Sequence, residues 1–265
     1  MKRTVIEKPE ITSSNDFFSR NKGLLSEADQ EQIRTTTIAI AGAGGDGGLL
    51  AERLVRFGIG RLILADPETF EPANSNRQFA ANQKNIGKNK AEAVANELLL
   101  MNPGLEVIFY EEGITKENVT EIINAADIVI DEIEYSLPVL SVMLHREARM
   151  QKKYVFMGAN IGWGASIFCF SPDGETFEQH FEYQEEQATI NPFRYMKKKP
   201  GYLNDELLQS VLSGIMPMPS LSSSVGLVAS VMANEIILFI TGKRNPVIVP
   251  QFLFIDLFDL TVDKN

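Results

Sequence analysis

A chain of 265 residues with 44% hydrophobic and 23% charged residues has the make-up of an ordinary globular protein. Its 35 acidic against 25 basic residues give a net charge of -10, which disfavours nonspecific nucleic-acid binding, because that depends on lysine and arginine neutralising phosphates. One cysteine and two histidines exclude an internal disulfide and leave too few ligands for a thiolate zinc site.

In chain order, the opening "MKRTVIEKPEITSSND" has no apolar core and is not read as a secretory signal. Ser26 followed by "EADQEQIR" predicts a capped amphipathic helix, so residues 1–34 form an N-terminal arm and helix. "TTTIAIAG" (35–42) is a β-rich apolar run ending in glycine, hence a buried strand, and "DGGLLAERLVRFG" (46–58) has helical spacing that stops at Gly58. "GRLILAD" (60–66) reads as a second strand, and "GKNKAEAVANELLLMNP" (87–103) as a helix ended by Asn102-Pro103. The alternation continues with strand "LEVIFYEE", helix "TKENVTEIINAA", strand "DIVID" (127–131), helix "PVLSVMLHREARMQKK" and strand "YVFMGA". "GASIFCFSPDG" (164–174) follows a strand with no helix between and is expected to run antiparallel. Residues 175–221 read as an irregular excursion with one helix at "NDELLQSVLSG", and "RYMKKK" (194–199) as a solvated loop. A helix from about Ser222 to Thr241 and a strand "FLFIDLFD" close the chain; Asn234 and Glu235 make that helix a core element rather than a bilayer span. These readings predict one α/β domain over 1–265, with a mostly parallel, doubly wound sheet and antiparallel strands in its C-terminal part. A cytoplasmic location with no membrane partner is expected.

"GAGGDG" spaces Gly42, Gly44 and Gly47 as G-x-G-x-x-G between a strand and a helix, where glycine allows a tight turn and close backbone approach. The helix N-terminus then offers unpaired N–H groups to an anion. Asp46 is unexpected beside a phosphate cradle and is read as an acid in the first helical turn. Asp66 ends the next strand, about 20 residues on, where an acid accepts hydrogen bonds from a ribose hydroxyl. NAD and ATP both carry that ribose, so the turn and Asp66 do not separate them.

The residues that follow do. "SRNKGLL" (19–25), "GAGGDGG" (42–48), "ADPETFEPANSNRQ" (65–78), "IGKNKAEA" (86–93), "ADIVIDEIE" (126–134) and "SSSVGLVASVMANEIILFITG" together resemble the ThiF/MoeB/HesA adenylyltransferases, bacterial relatives of ubiquitin-activating enzymes. The resemblance implies a Rossmann-like fold and an enzyme that joins a carboxylate to AMP from Mg-ATP with release of pyrophosphate. It implies nucleotide contacts from Gly42, Gly44, Gly45, Gly47, Asp66, Glu68, Asn74, Arg77, Gln78 and Lys90. Arg77 and Lys90 then clamp the triphosphate, with Lys90 nearest the reacting phosphate, while Asn74 and Gln78 give neutral hydrogen bonds. Arg20 matches an arginine that reaches into the neighbouring subunit's site, so a homodimer with shared sites is implied. The family often has a second arginine where this chain has Phe17.

The magnesium position departs most from the pattern. Where the family has D-x-x-D-N, this chain has Asp131-Glu132-Ile133-Glu134-Tyr135, which puts Glu134 on the metal-binding aspartate and leaves Asp131 as the alternative ligand. The paired C-x-x-C zinc ligands of many relatives are absent, so no zinc is expected. Cys169 reads as a packed strand residue rather than an acyl carrier. His145 reads as structural, His180 as a lesser candidate facing the site, and Trp163 as packed against the sheet. "TINPFRYMKKKPGY" is the candidate substrate contact, the substrate being a carboxylate on a peptide, small protein or small molecule. Two alternatives stand beside adenylation: a catalytically silent nucleotide-binding scaffold, prompted by Glu134 and Phe17, and an NAD-dependent dehydrogenase, which leaves Asn74, Arg77 and Lys90 without a task.

Overall fold

The structure, a computed structural model, describes residues 4–5, 17–102, 104–185, 190 and 199–265. Its strands are β1 (Thr4–Val5), β2 (Thr37–Ala41), β3 (Arg61–Ala65), β4 (Glu106–Tyr110), β5 (Ile128–Asp131), β6 (Tyr154–Ile161), β7 (Gly164–Phe170), β8 (Leu253–Asp256) and β9 (Thr261–Lys264). Its helices are α1 (Glu27–Thr35), α2 (Gly45–Phe57), α3 (Lys90–Met101), α4 (Val119–Ala125), α5 (Pro138–Met150), α6 (Phe177–His180), α7 (Asp205–Leu212) and α8 (Ser222–Ile240). The described strands form one nine-stranded sheet in the order β1-β4-β3-β2-β5-β6-β7-β8-β9.

The five central strands, β4-β3-β2-β5-β6, are parallel, and β7, β8 and β9 are added antiparallel on one side. Chain order moves outward from β2 through β3 and β4, then restarts on the other flank with β5 and β6. The crevice beyond the carboxyl ends of β2 and β5 is therefore the switch point at which such sheets bind ligands. All five residues of β2 are buried, as expected of a strand covered by helices on both faces.

Local signals set the helix ends. Ser26 and Asp29 form a reciprocal capping box at the start of α1. Gly58, at φ +102°, ends α2 in a left-handed cap whose N–H reaches the carbonyls of Leu54 and Val55. Asn89 caps α3 by accepting from Glu92 N–H, which places Lys90 at the first helical position.

Two apolar cores flank the sheet. One joins α2, α3 and α8 through Leu50, Leu54, Val94, Leu98, Met232 and Ile236; the other joins α4, α5 and α6 through Ile122, Ile123, Leu144 and Phe177. Helix α8 is long and apolar enough to cross a membrane by length and composition. Its Val225, Val228, Ala229, Met232 and Ile236 are fully buried in the core, and Glu235 inside it pairs with Arg244.

Three elements lie outside the sequence expectations: β1, β9 and the single turn α6. Every residue of β9 is exposed, so this edge strand leaves no burial pattern to read. Trp163 was expected to pack against the sheet, but it sits at the β6–β7 turn and is 43% exposed. Residues 191–198, with most of the basic cluster and of the proposed substrate loop, lie outside the described residues. Ile236→Ala in α8 is expected to cost about 2–5 kcal/mol, read as a lower urea midpoint with unchanged slope.

Candidate functional site

A cavity of about 300 Å³ opens at the switch point. Its floor is the glycine bend, with Gly42, Gly44, Gly45 and Gly47 all on its wall. Two of these positions exclude any side chain. A Cβ on Gly42 would lie 2.2 Å from the Glu132 carbonyl oxygen, and one on Gly47 would lie 1.9 Å from the Gly42 carbonyl oxygen. Strand β2 thus passes the β5 exit at backbone contact, and α2 starts at the cavity wall, where the free N–H groups of a helix start suit an anion.

Asp66, 4% exposed, braces this floor. Its Oδ2 accepts from Ala43 N–H at 2.7 Å and its Oδ1 from Glu68 N–H at 2.8 Å. Burial raises its carboxyl from the ordinary range, and those two N–H groups oppose the rise. The Lys90 side chain is only 7% exposed, and its Nζ donates to Glu68 Oε2 at 2.6 Å. Glu68 itself is open to solvent, so an exposed carboxylate holds a buried ammonium. Arg77 lines the same cavity, half-buried, with Nη1 donating to Asn76 Oδ1 at 2.8 Å and Ala73 O at 3.2 Å. Gln78 is buried beside Gly44, and its Oε1 has no hydrogen-bond partner among the described residues.

Residues 18–264 match the ThiF family. The chain belongs to the ThiF family. It is 31% identical over 134 residues to tRNA threonylcarbamoyladenosine dehydratase of Bacillus subtilis, covering 49% of this chain and 53% of that protein. It is 34% identical over 171 residues to ubiquitin-like modifier-activating enzyme 5 of Aedes aegypti, covering 61% of this chain and 42% of that protein. The chain thus spans about half the length of these curated relatives. Among solved structures, Escherichia coli MccB with ATP superposes with a TM-score of 0.72 at 18% identity, over 95% of this chain and 71% of that one. At that identity the likeness speaks for the fold.

Against this ThiF-family frame, nine of the ten expected nucleotide-contact residues meet on one cavity: the four glycines, Asp66, Glu68, Arg77, Gln78 and Lys90. Asn74 is the one that does not. Its Oδ1 accepts from Glu71 N–H at 2.9 Å and caps the short 3-10 helix Pro72–Asn76, off the cavity wall. Arg20 is exposed on another short 3-10 helix, Ser19–Asn21, and is not on the wall either.

The two acids expected at a metal behave differently. Glu134 lines the cavity and stays accessible; enclosure by the walls raises its carboxyl, Glu68 adds to the rise, and Lys90 and Arg77 oppose it. Asp131 does not reach the cavity and is corrected to a structural role. It is fully buried, its Oδ1 accepting from Ile133 N–H and its Oδ2 lying 3.1 Å from His145 Nε2. His180 is buried among Phe168, Phe170 and Phe181, away from the cavity, which sets aside its candidacy. Cys169 is buried in β7, where burial pushes its thiol far up, as expected of an inert residue.

Sequence reasoning missed the chemistry of Asp46, Glu132 and Asn160. Asp46 is 8% exposed and lines the cavity; Asn160 Nδ2 donates to its Oδ2 at 2.6 Å, while its Oδ1 has no partner among the described residues. Burial pushes the Asp46 carboxyl up to about 7. Glu132, half-buried, accepts from Gly158 N–H at 2.9 Å, and burial followed by the charges of Asp46 and Asp131 drives it well above the usual range. An acid inside a glycine-rich turn was the available signal.

A native Asp46 that keeps its proton up to about pH 7, against an unfolded aspartate that loses it near 3.8, binds the extra proton only when folded. On this group's account stability falls as pH rises between those values and is level above them. Asp46→Asn keeps an oxygen for Asn160 and removes that loss, so it should melt above the parent protein at about pH 8, with the gap closing towards about pH 4. Thermal melts across that range check both the direction and the closure.

Proposed function

We propose that the chain is an ATP-dependent adenylyltransferase that activates a carboxylate as an acyl-adenylate and releases pyrophosphate. The observation that carries the reading is the buried Lys90 ammonium, brought with Arg77 to the same cavity as the glycine bend and the start of α2. Transfer to the α-phosphorus forms a P–O bond to the carboxylate oxygen and breaks the bond to the leaving pyrophosphate. Negative charge grows on the bridging oxygen and on the leaving group, so preplaced cations and N–H donors lower the barrier. Glu68, which now holds Lys90 as a phosphate oxygen would, yields it when the nucleotide arrives.

Magnesium fits this donor set. A hard divalent cation needs one or two carboxylates, with water and phosphate oxygens completing its shell, and Glu134 supplies one from the cavity wall. Among the described residues no cluster of three or more acidic, His or Cys side chains forms a dedicated metal cage. Bound there, the ion would offset phosphate charge.

The relatives' names support activation chemistry, one being an activating enzyme for a ubiquitin-like modifier, and the MccB structure with ATP supports the nucleotide. The substrate carboxylate belongs to a peptide, a small protein or a small molecule. The working unit is a homodimer in which exposed Arg20 serves the neighbour's cavity. A dehydrogenase reading leaves Arg77 and Lys90 unused, and a silent scaffold has no need of a buried lysine on the cavity wall.

Lys90→Ala should abolish pyrophosphate exchange and AMP release while ATP binding weakens by about tenfold or less. Surviving turnover would remove Lys90 from the chemistry. Mixing Arg20→Ala with Lys90→Ala chains should restore part of the activity if one mixed dimer contains an intact site. Failure of the mixture to recover argues against sharing. A titration in which NAD outcompetes ATP would overturn the nucleotide assignment itself.

A further inference from the structure

Large apolar side chains gather in water just outside the cavity. Trp163, Leu257, Phe258, Leu260 and Val262 are all exposed, and they belong to two neighbouring turns and to the edge strand β9. Leu257 N–H donates to Trp163 O at 3.2 Å, which joins the β6–β7 turn to the β8–β9 turn. The Phe258 ring meets the Tyr202 ring at 5.6 Å between centroids, and Tyr202 Oη donates to Ile161 O at 3.2 Å. Ile161 is on the cavity wall, so contacts run unbroken from that wall to β9. Strand direction places the patch at the cavity end of the sheet. β7 runs antiparallel to β6 and β8 antiparallel to β7, so β8 ends on the side where the parallel strands end.

Two features show a surface made to be covered. Leu260 is 84% exposed and its backbone stands at φ +56°, a left-handed setting that is unfavourable for leucine. The turn presenting it is tied down, since Asp256 Oδ1 accepts from Phe258 N–H at 2.7 Å and from Asp259 N–H at 3.2 Å. A chain on its own gains nothing by holding a leucine both strained and in water, whereas a partner that buries it offsets both costs. The second feature is the edge of β9, beyond which no described strand lies. Asn265 and Phe252 exchange both backbone hydrogen bonds, at 3.0 and 3.3 Å. Antiparallel alternation then turns the N–H and C=O of Val262 away from β8, where an extended segment can pair with them.

We propose that this face docks a polypeptide substrate. An extended, apolar segment with basic residues pairs with β9 and covers Phe258 and Leu260, and the C-terminal carboxylate of the same polypeptide reaches the cavity. The proposal rests on the adenylation reading and narrows its substrate to a polypeptide with a free tail. The preference for basic residues follows from the surface, because within 257–264 Asp259 and Asp263 outnumber Lys264. The same sign disfavours a second copy as the occupant, since two chains of net charge -10 would meet edge to edge. Tail length follows from the sheet. From β9 to the β5 exit is four strand spacings, about 19 Å, which an extended chain covers in about six residues.

Trp163 is the single tryptophan of the chain, so its emission reports the patch without a label. The probes are synthetic peptides of alternating lysine and valine, followed by a glycine–serine tail of about six or about two residues with a free carboxylate. An acidic twin carries glutamate in place of lysine. The basic peptides should shift the Trp163 emission to the blue and bind at least about tenfold more tightly than the acidic twin. Leu260→Asn suits the left-handed backbone, so the melting temperature should hold or rise while peptide affinity falls about tenfold. In ATP–pyrophosphate exchange the longer tail should be active and the shorter one silent, although both dock. Absence of any emission shift, or an affinity untouched by Leu260→Asn, overturns the docking face. Equal exchange by the two tails overturns the reach to the cavity. A shift that grows with protein concentration alone, and is lost in Leu260→Asn, gives the face to a second copy and overturns the proposal. If the peptides dock but neither tail supports exchange, the adenylation reading fails for a polypeptide while the face stands; exchange without an emission shift keeps that reading and removes the face.

Discussion

The site depends on the carboxylate of Asp66, which holds three pieces of chain in register. One oxygen takes Ala43 N–H from the glycine bend and the other takes Glu68 N–H from the segment leaving β3. Two more bonds complete the clasp: Lys90 N–H donates to Glu68 O at 2.8 Å, and the Asn89 side-chain Nδ2 donates to Asp66 O at 2.8 Å. The glycine floor, the end of β3 and the start of α3 are thereby joined by hydrogen bonds. Without that clasp, nothing on α3 itself would bring Lys90 to the bend. Because Asp66 is buried its carboxyl is raised, and its two N–H partners oppose that rise.

The second constraint is steric. The bend meets the β5 exit at backbone contact, so Gly42 and Gly47 are required by neighbouring carbonyl oxygens as well as by any ligand. A glycine turn of this sort serves packing and binding at once, because the closeness that makes α2 start under the cavity is the closeness that leaves N–H groups facing it. The structural and functional readings of these glycines are the same geometry viewed from two sides.

Electrostatically the cavity is not relaxed. Asp46, Glu132 and Glu134 are all driven above the ordinary carboxylate range, chiefly by burial or enclosure. Perturbed acids gathered in one cleft are what a site tuned for a ligand looks like, since a protein selected for stability alone would have replaced them. The Asp131–His145 pair shows the contrast: it is deeper, yet each group has found the other.

Much of this was open to reading from the residues in line. The helix caps at Ser26 and Asn89, the stop at Gly58 and the buried run of β2 are local, so composition over a few positions reports them. The nucleotide cluster was legible because its residues sit at fixed spacing along one strand–turn–helix passage. Asn74 and Asp131 lie off the cavity wall, which spacing did not reveal because it cannot say which way a side chain turns: the first caps a 3-10 helix and the second points at a histidine on α5. Edge strand β9 left no trace, being exposed on both faces. Asp46 shows the boundary most clearly. Its identity was plain in the chain, but its partner Asn160 lies 114 residues away and arrives only when β6 pairs beside β5. Linear order therefore settled which elements form and which one carries the cradle; which acids face the cavity, and which are left with an unanswered oxygen, was settled by strands distant in sequence coming side by side.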